Sequence, residues 1–241
     1  MEAGMTTKHT PAGEDIGEDI YDHIRNSVLE QRLLPGMKLT EEALCGIYGT
    51  GRATIRKVLL LLAEDRIITL ERNKGAVVAS PTAQEAEQIF EARLALEISL
   101  LDWAMERVCE DDLKILSDHL GRERAALGLG DIALWIRLSG EFHMLLAAIA
   151  RNEPLSDFLE KLVFRSSLII GLYGKTGNVN CCVDDHSDLI DALTKRDRDR
   201  GRAVLTEHLG HIRDRLIFTT PGESGDIYRA LSSDMFKRKV N

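Results

Sequence analysis

The chain has 241 residues, 44% hydrophobic and 29% charged, with a net charge of −8 at neutral pH. That length allows two modest domains or one large one, and the composition suits an ordinary soluble globular protein. The negative balance argues against nonspecific coating of nucleic acid, although it permits a local basic patch. Aromatic residues are only 5%, and long stretches rich in Ala, Leu, Glu and Arg tilt the chain toward helix. The charge is uneven: residues 36–80 carry +2 and the remainder −10, which suggests a small basic module joined to an acidic one. Four cysteines (Cys45, Cys109, Cys181, Cys182) show no disulfide-framework or zinc-ribbon spacing, so a reduced, cytosolic setting is expected. No signal-peptide core and no run of membrane-spanning length is read, and no membrane partner is expected.

Residues 1–15 read as a flexible tail. From Ile16, the pattern IGEDIYDHIRNSVLEQRLL places Ile16, Ile20, Ile24, Val28 and Leu29 on one helical stripe, ended by LPG at 34–36. Thr40 reads as the N-cap of a second helix, with Glu41 and Glu42 in its first turn. Gly49 and Gly51 punctuate a turn, and a third helix runs from about Ala53 to Asp65. Two strand-like pieces, IITLE (67–71) and AVVAS (76–80), flank a turn in RNKG. Helix, helix, turn, helix, hairpin is the order of a winged helix-turn-helix over residues 16–80. The leucine-rich part of the third helix is expected to pack on the first two helices.

Ser80-Pro81-Thr82 marks the boundary to a second domain, 81–220. Amphipathic helices are expected near 83–108, 110–128, 131–150, 154–174, 181–196 and 198–217, separated by Gly-, Asn- and Pro-containing breaks. Six such helices make an all-α bundle with room for an internal cavity. Residues 221–241 form a C-terminal tail with one short helical pattern and no readable docking place. The fold class is thus mainly α: an N-terminal winged helix-turn-helix followed by an all-α helical bundle.

In a helix-turn-helix the start of the second motif helix enters the major groove. Thr50, Arg52, Thr54 and Arg56 occupy that end. An arginine can donate two hydrogen bonds to one guanine edge. Lys74 in the hairpin could reach a phosphate, and Gly75 permits a close turn. Arg-x-x-x-Arg alone is more often a solvated face; its place between a helix, a turn and a hairpin favours DNA reading.

The segment LLPGMKLTEEAL…IYGTGRATIRKVLLLLAEDRIITLERNKGAVVAS resembles the winged-helix domain of GntR-type bacterial transcriptional regulators. The Pro-Gly-x-x-Leu entry, the recognition turn ending in Arg-x-x-x-Arg, the leucine-bearing helix and the Asn-x-Gly wing carry the resemblance. It implies operator contacts by Arg52 and Arg56, with Thr54 and the wing residues Asn73, Lys74 and Gly75 beside them. The chain departs at Gly51, where the family has Ser or Thr, and at Glu42, where some relatives carry a DNA-contacting arginine.

The second domain holds His143, His186 and His208 on three predicted helices. Imidazole is a common ligand for zinc, nickel and related ions. A histidine on a partly apolar helix face is also commonly a satisfied core residue, so the residues alone leave both readings open. This half is similar to the ligand-sensing FCD group of the GntR family. Its pattern has Asp-x-x-x-His, a His opening the next-to-last helix and a His in the last. The resemblance implies a metal held by His143, His186 and His208, zinc or nickel, but Ser139 stands where the aspartate is expected. Three outcomes therefore stay open: weak metal binding, water in place of the carboxylate, or no metal.

The resemblance further implies a small carboxylate effector, with Arg93 in EARLALE, Ser139 and Arg165 as effector-binding candidates. For Arg165 a surface or interface ion pair is an equal reading. The short link from the wing to EARLALE matches the six-helix subtype of the group.

The expected function is a ligand-responsive transcriptional regulator, by resemblance a repressor. It would bind a pseudo-palindromic operator as a homodimer and would not be an enzyme. Two rivals are weighed against it. A regulator with the ion itself as effector would need no organic ligand. A metal-dependent hydrolase would use the histidines to activate water, but no carboxylate base, nucleophile constellation or phosphate loop is apparent.

Overall fold

The structure, a computed structural model, describes residues 12–71, 75–174, 180–218 and 226–231. The chain divides into two compact units. The first comprises residues 1–27, 32–79 and 222–241, and the second 28–31 and 80–221.

In the first unit, helix α1 (Ala12–Leu29) precedes strand β1 (Lys38–Leu39), α2 (Glu41–Tyr48), α3 (Arg52–Glu64), β2 (Ile68–Glu71) and β3 (Gly75–Val78). The three strands form an antiparallel sheet in the order β1-β3-β2, with Glu71 opposite Gly75 and Lys38 opposite Val77. The helix-turn-helix and its hairpin are therefore present, and β1 is an addition. Two residues have no period to read.

α1 begins at Ala12, inside the expected tail, and ends at Leu29, before the LPG that was expected to stop it. Gln31 adopts a left-handed φ of 57°, and the amides of Arg32 and Leu33 donate back to the Ser27 carbonyl. Thr40 caps α2 by accepting from the Ala43 amide at 3.2 Å, and Gly49 closes that helix in the left-handed region at φ 62°.

The core of this unit gathers Ile20, Ile24, Leu33, Leu39, Leu44, Ile55, Leu62, Ile67 and Ile68. The leucine run of α3 is only half committed to it. Ile55, Val58, Leu59 and Leu62 point inward at helical spacing, whereas Leu60 and Leu61 are 61% and 43% exposed. The short helix α10 (Ile227–Ala230) belongs to this unit: Arg32 Nη1 donates to the Ala230 carbonyl at 2.6 Å, and Ala230 and Leu231 are buried.

The second unit holds α4 (Ala83–Arg107), α5 (Glu110–Gly128), α6 (Ile132–Ile149), α7 (Glu153–Tyr173), α8 (Asn180–Lys195) and α9 (Arg198–Asp214). Polar caps set several starts: Thr82 and Glu85 form a reciprocal capping box, and Asp131, Asn152 and Asp197 each accept an amide of the first turn. α6 packs against α4, α5 and α7, and α8 against α5 and α9.

α6 is the one described helix long and apolar enough to cross a bilayer by length and composition. It is mostly buried, and Arg137 pairs with Glu141 on its outer side, which is how the central helix of a bundle reads.

A buried histidine cluster and a DNA-reading edge

Helix periodicity, not chain proximity, assembles the buried cluster. His143 on α6, His186 on α8 and His208 on α9 are each no more than 1% exposed. Their Nε2 atoms converge: His208 Nε2 lies 3.2 Å from those of both His143 and His186. Together the three offer ligand atoms within 4.8 Å of one another. Phe142 stacks on the His186 ring at 4.0 Å and 9° and holds its plane.

Every one of these rings is gripped from behind by a carboxylate. His143 Nδ1 lies 2.6 Å from Glu97 Oε2 (α4), His186 Nδ1 lies 2.9 Å from Glu123 Oε2 (α5), and His208 Nδ1 lies 3.2 Å from Asp185 Oδ2 (α8). A carboxylate at Nδ1 fixes the tautomer: Nδ1 carries the proton, and Nε2 presents a lone pair inward. Burial pushes the His143 imidazolium down to about 3, against the pull of Glu97. Burial likewise holds His186 well below its ordinary value. Glu97 is driven down to about 2: the charges and hydrogen bonds of Arg93 and His143 overcome its burial. Glu123 is pushed up to about 7 by burial.

Neutral imidazoles with inward lone pairs 3.2 Å apart repel one another unless a proton or a cation lies between them. For Zn–N bonds of about 2.0–2.1 Å, tetrahedral geometry sets neighbouring ligand nitrogens about 3.3 Å apart. The donor set, its spacing and its outer carboxylates thus fit a divalent cation held by His143, His186 and His208.

Arg93, the expected effector contact, is 2% exposed and already engaged. Its Nε donates to Glu97 Oε1 at 2.6 Å and its Nη1 to Ser166 Oγ at 2.8 Å. Among the described residues its Nη2 has no hydrogen-bond partner, and neither has the buried Trp135 Nε1. Both residues line one small cavity of about 20 Å³, together with Ser139, Gly140, His143 and Ser167. That is room for a single water. Ser139, one helical turn before His143, is 8% exposed. Arg165 is half-buried, has interactions of its own, and is not among the residues lining this cavity.

The DNA-reading candidates lie in the first unit. Arg52 and Arg56 occupy the first and fifth positions of α3, and both are exposed; Thr50 and Thr54 are half-buried. Gly51 is the N-cap and supplies no side-chain cap to the first amides of α3. Arg56 Nε donates to Glu41 Oε1 at 2.7 Å. Gly75 opens β3 at φ 80°, a conformation only glycine adopts readily. Asn73 and Lys74 lie outside the described residues.

Sequence reasoning missed Glu97, Glu123, Asp185 and Trp135. Two signals existed for the carboxylates: Glu97 follows Arg93 by one helical turn in EARLALE, and Asp185 directly precedes His186.

Comparison with known proteins agrees with this division. Residues 16–78 match the bacterial regulatory proteins of the gntR family, and residues 88–211 match the FCD domain. The chain is 24% identical over 197 residues to the uncharacterized HTH-type transcriptional regulator YdhC of Bacillus subtilis (strain 168), covering 79% of this chain and 86% of that protein. It is 23% identical over 200 residues to the HTH-type transcriptional repressor RspR of Escherichia coli (strain K12), covering 83% and 88%. Among solved structures, E. coli McbR/YncC shares the fold at a TM-score of 0.67 and 20% identity, over 81% of this chain and 94% of that one. A GntR regulator structure from Rhodococcus sp. RHA1 does so at 0.70 and 18%, over 83% and 96%.

Proposed function

The chain belongs to the gntR family of bacterial regulatory proteins, with an FCD domain, and from that premise we propose a metal-assisted, effector-responsive repressor that binds operator DNA as a homodimer. Membership makes it a transcriptional regulator and not an enzyme. The observation that carries the sensing half of the proposal is the inward convergence of three carboxylate-backed imidazole nitrogens, with His208 Nε2 3.2 Å from each of the other two and all three within 4.8 Å of one another. That set holds a cation far more naturally than it holds three lone pairs.

In this reading His143, His186 and His208 hold zinc or nickel. The ion, when bound, supplies a positive centre with coordination positions left open for an anion. Arg93 and Trp135 line the cavity beside His143, and each carries an N–H donor with no partner among the described residues. Such donors favour a carboxylate oxygen. Ser139 adds a hydroxyl and no charge, which leaves the anionic group to be supplied by the effector.

Arg52, Arg56, Thr50, Thr54 and the wing residues Asn73, Lys74 and Gly75 contact the operator. Two recognition helices, presented by a homodimer formed through the helical domains, match a pseudo-palindrome. The protein acts in the cytoplasm, where its operator is. Effector binding weakens operator affinity to the extent that it prefers the arrangement that does not bind DNA.

One observation favours a second reading, in which the ion alone is the effector: the cavity beside His143 has room for only a single water.

Metal content of the purified protein, measured beside His208→Ala, tests the cation site. Near-stoichiometric metal lost in the variant is expected; no metal in the wild type after supplementation with zinc and with nickel overturns it. Operator affinity is then measured on the metal-loaded protein with and without small carboxylates. A drop caused by carboxylate supports an organic effector, and a drop on metal loading alone supports the ion.

A further inference from the structure

We infer that Glu41 is a positioning residue for base readout: by accepting the Arg56 Nε–H it turns the free Nη edge of that guanidinium toward a guanine and withholds its charge from the phosphates. The inference rests on the operator-binding reading above.

A guanidinium has two hydrogen-bonding edges, one containing Nε and one formed by the two Nη atoms. In this structure the first is taken. Glu41 is the first residue of α2 and Arg56 lies one turn into α3, and their 2.7 Å contact crosses the turn of the motif. Glu41 is the better anchored partner: its side chain is 34% exposed, against 63% for Arg56.

Glu41 is held below the ordinary carboxylate range by the hydrogen bond and charge of Arg56 and by the charge of Arg52. It is therefore ionised where α3 is expected to meet DNA. A carboxylate there repels phosphates. The pairing cancels the Arg56 charge that would otherwise drive sequence-independent binding, while the bidentate geometry needed for guanine O6 and N7 survives on the other edge. Closing the interface removes water from the pair and strengthens it. Glu41 thus trades nonspecific affinity for discrimination.

The test uses the full chain. A preferred duplex is first selected from a random-sequence pool with the wild-type protein. Affinities are then measured for that duplex, for duplexes with each guanine replaced, and for a scrambled duplex, over a range of salt. For Glu41→Gln and Glu41→Ala we expect about tenfold weaker discrimination at one guanine per half-site. Binding to the scrambled duplex should tighten. The salt slope should steepen by about 0.9 for each arginine released to a phosphate. Arg56→Lys should lose the same guanine preference, and adding Glu41→Gln to it should change that preference no further.

Three results overturn the inference: Glu41→Gln with the wild-type specificity ratio and salt slope, Glu41→Gln with equal weakening on every duplex, or additive losses of guanine preference in the double variant. A wild-type protein that prefers no sequence at all overturns the operator reading instead, and this inference with it.

Discussion

The two units place charge in opposite environments. In the winged unit, Arg56 and Glu41 pair in the open, where water screens them until a partner surface closes over them. In the helical unit, Arg93, Glu97 and His143 form a chain in which all three are at most 2% exposed, and no rearrangement satisfies them if one is lost. A surface pair can keep its bond and still present its remaining donors to an incoming ligand. A buried network has fixed directions, which is what the proposed cation site requires. The contrast suits the proposed division of labour, operator reading by the winged unit and sensing by the helical one.

The largest effect expected from that contrast is on stability. Glu97→Ala leaves the Arg93 guanidinium buried without its counter-charge and the His143 Nδ1–H without an acceptor. Removing one partner of a buried ion pair costs about 3–5 kcal/mol, read as a lower urea midpoint for the helical unit. Glu41→Ala should leave the midpoint almost unchanged. If the two variants unfold alike, the distinction between the units is wrong.

Glu123→Gln comes next. It keeps the shape but weakens the grip on the His186 Nδ1–H. Loss of such an outer carboxylate typically lowers metal affinity about 10–100-fold, which competition with a chromogenic chelator would measure. Unchanged affinity would mean that the imidazoles are oriented by packing alone, chiefly by Phe142 on His186.

The unequal legibility of the two units in the sequence has the same physical root. Caps and breaks are local, so Thr40, Gly49, Thr82, Asp131 and Asp197 announce their helices without help from the fold. Periodicity is local too, and it separated six helices in the second unit. It could not show β1, with two residues, nor stop α1 at Leu29, where a left-handed Gln31 does the work with no glycine to mark it.

The leucine run at 59–62 misled because composition hides direction: Leu60 and Leu61 face out. The three histidines were singled out as a set. Their carboxylate partners were not, because Glu97 is 46 residues from His143, Glu123 is 63 from His186, and Asp185 is 23 from His208. Nothing local connects those pairs.

A pH experiment sharpens the comparison from the DNA-reading side. Burial, with the charge of Arg32 adding to it, lowers His23 to about 4; its Nδ1 meets the Tyr48 hydroxyl at 2.9 Å. The folded unit therefore holds His23 neutral, while the unfolded chain binds a proton below about 6.5. Between those values the unfolded state carries more protons, so stability rises with pH. The contribution is complete above about pH 6.5 and is lost as pH falls through 4. Because His23 is only half-buried, screening reduces it to about 1 kcal/mol. Urea unfolding of the wild type between pH 4 and 7 should show this slope, and His23→Gln should flatten it. An unchanged slope would assign the acid sensitivity to other groups.

The smallest effect, that of Leu60→Ser, is read against its neighbour on the same helix. Leu59 and Leu60 are neighbours in α3, 5% and 61% exposed. Leu59→Ala empties core volume and should cost about 2–5 kcal/mol. Leu60→Ser removes apolar surface that already faces outward and should stay within about 0.5 kcal/mol of the wild type. If Leu60→Ser instead destabilises as much as Leu59→Ala, something covers that face in solution. A concentration-dependent midpoint would then identify the cover as a second copy of the chain, because only association ties stability to protein concentration.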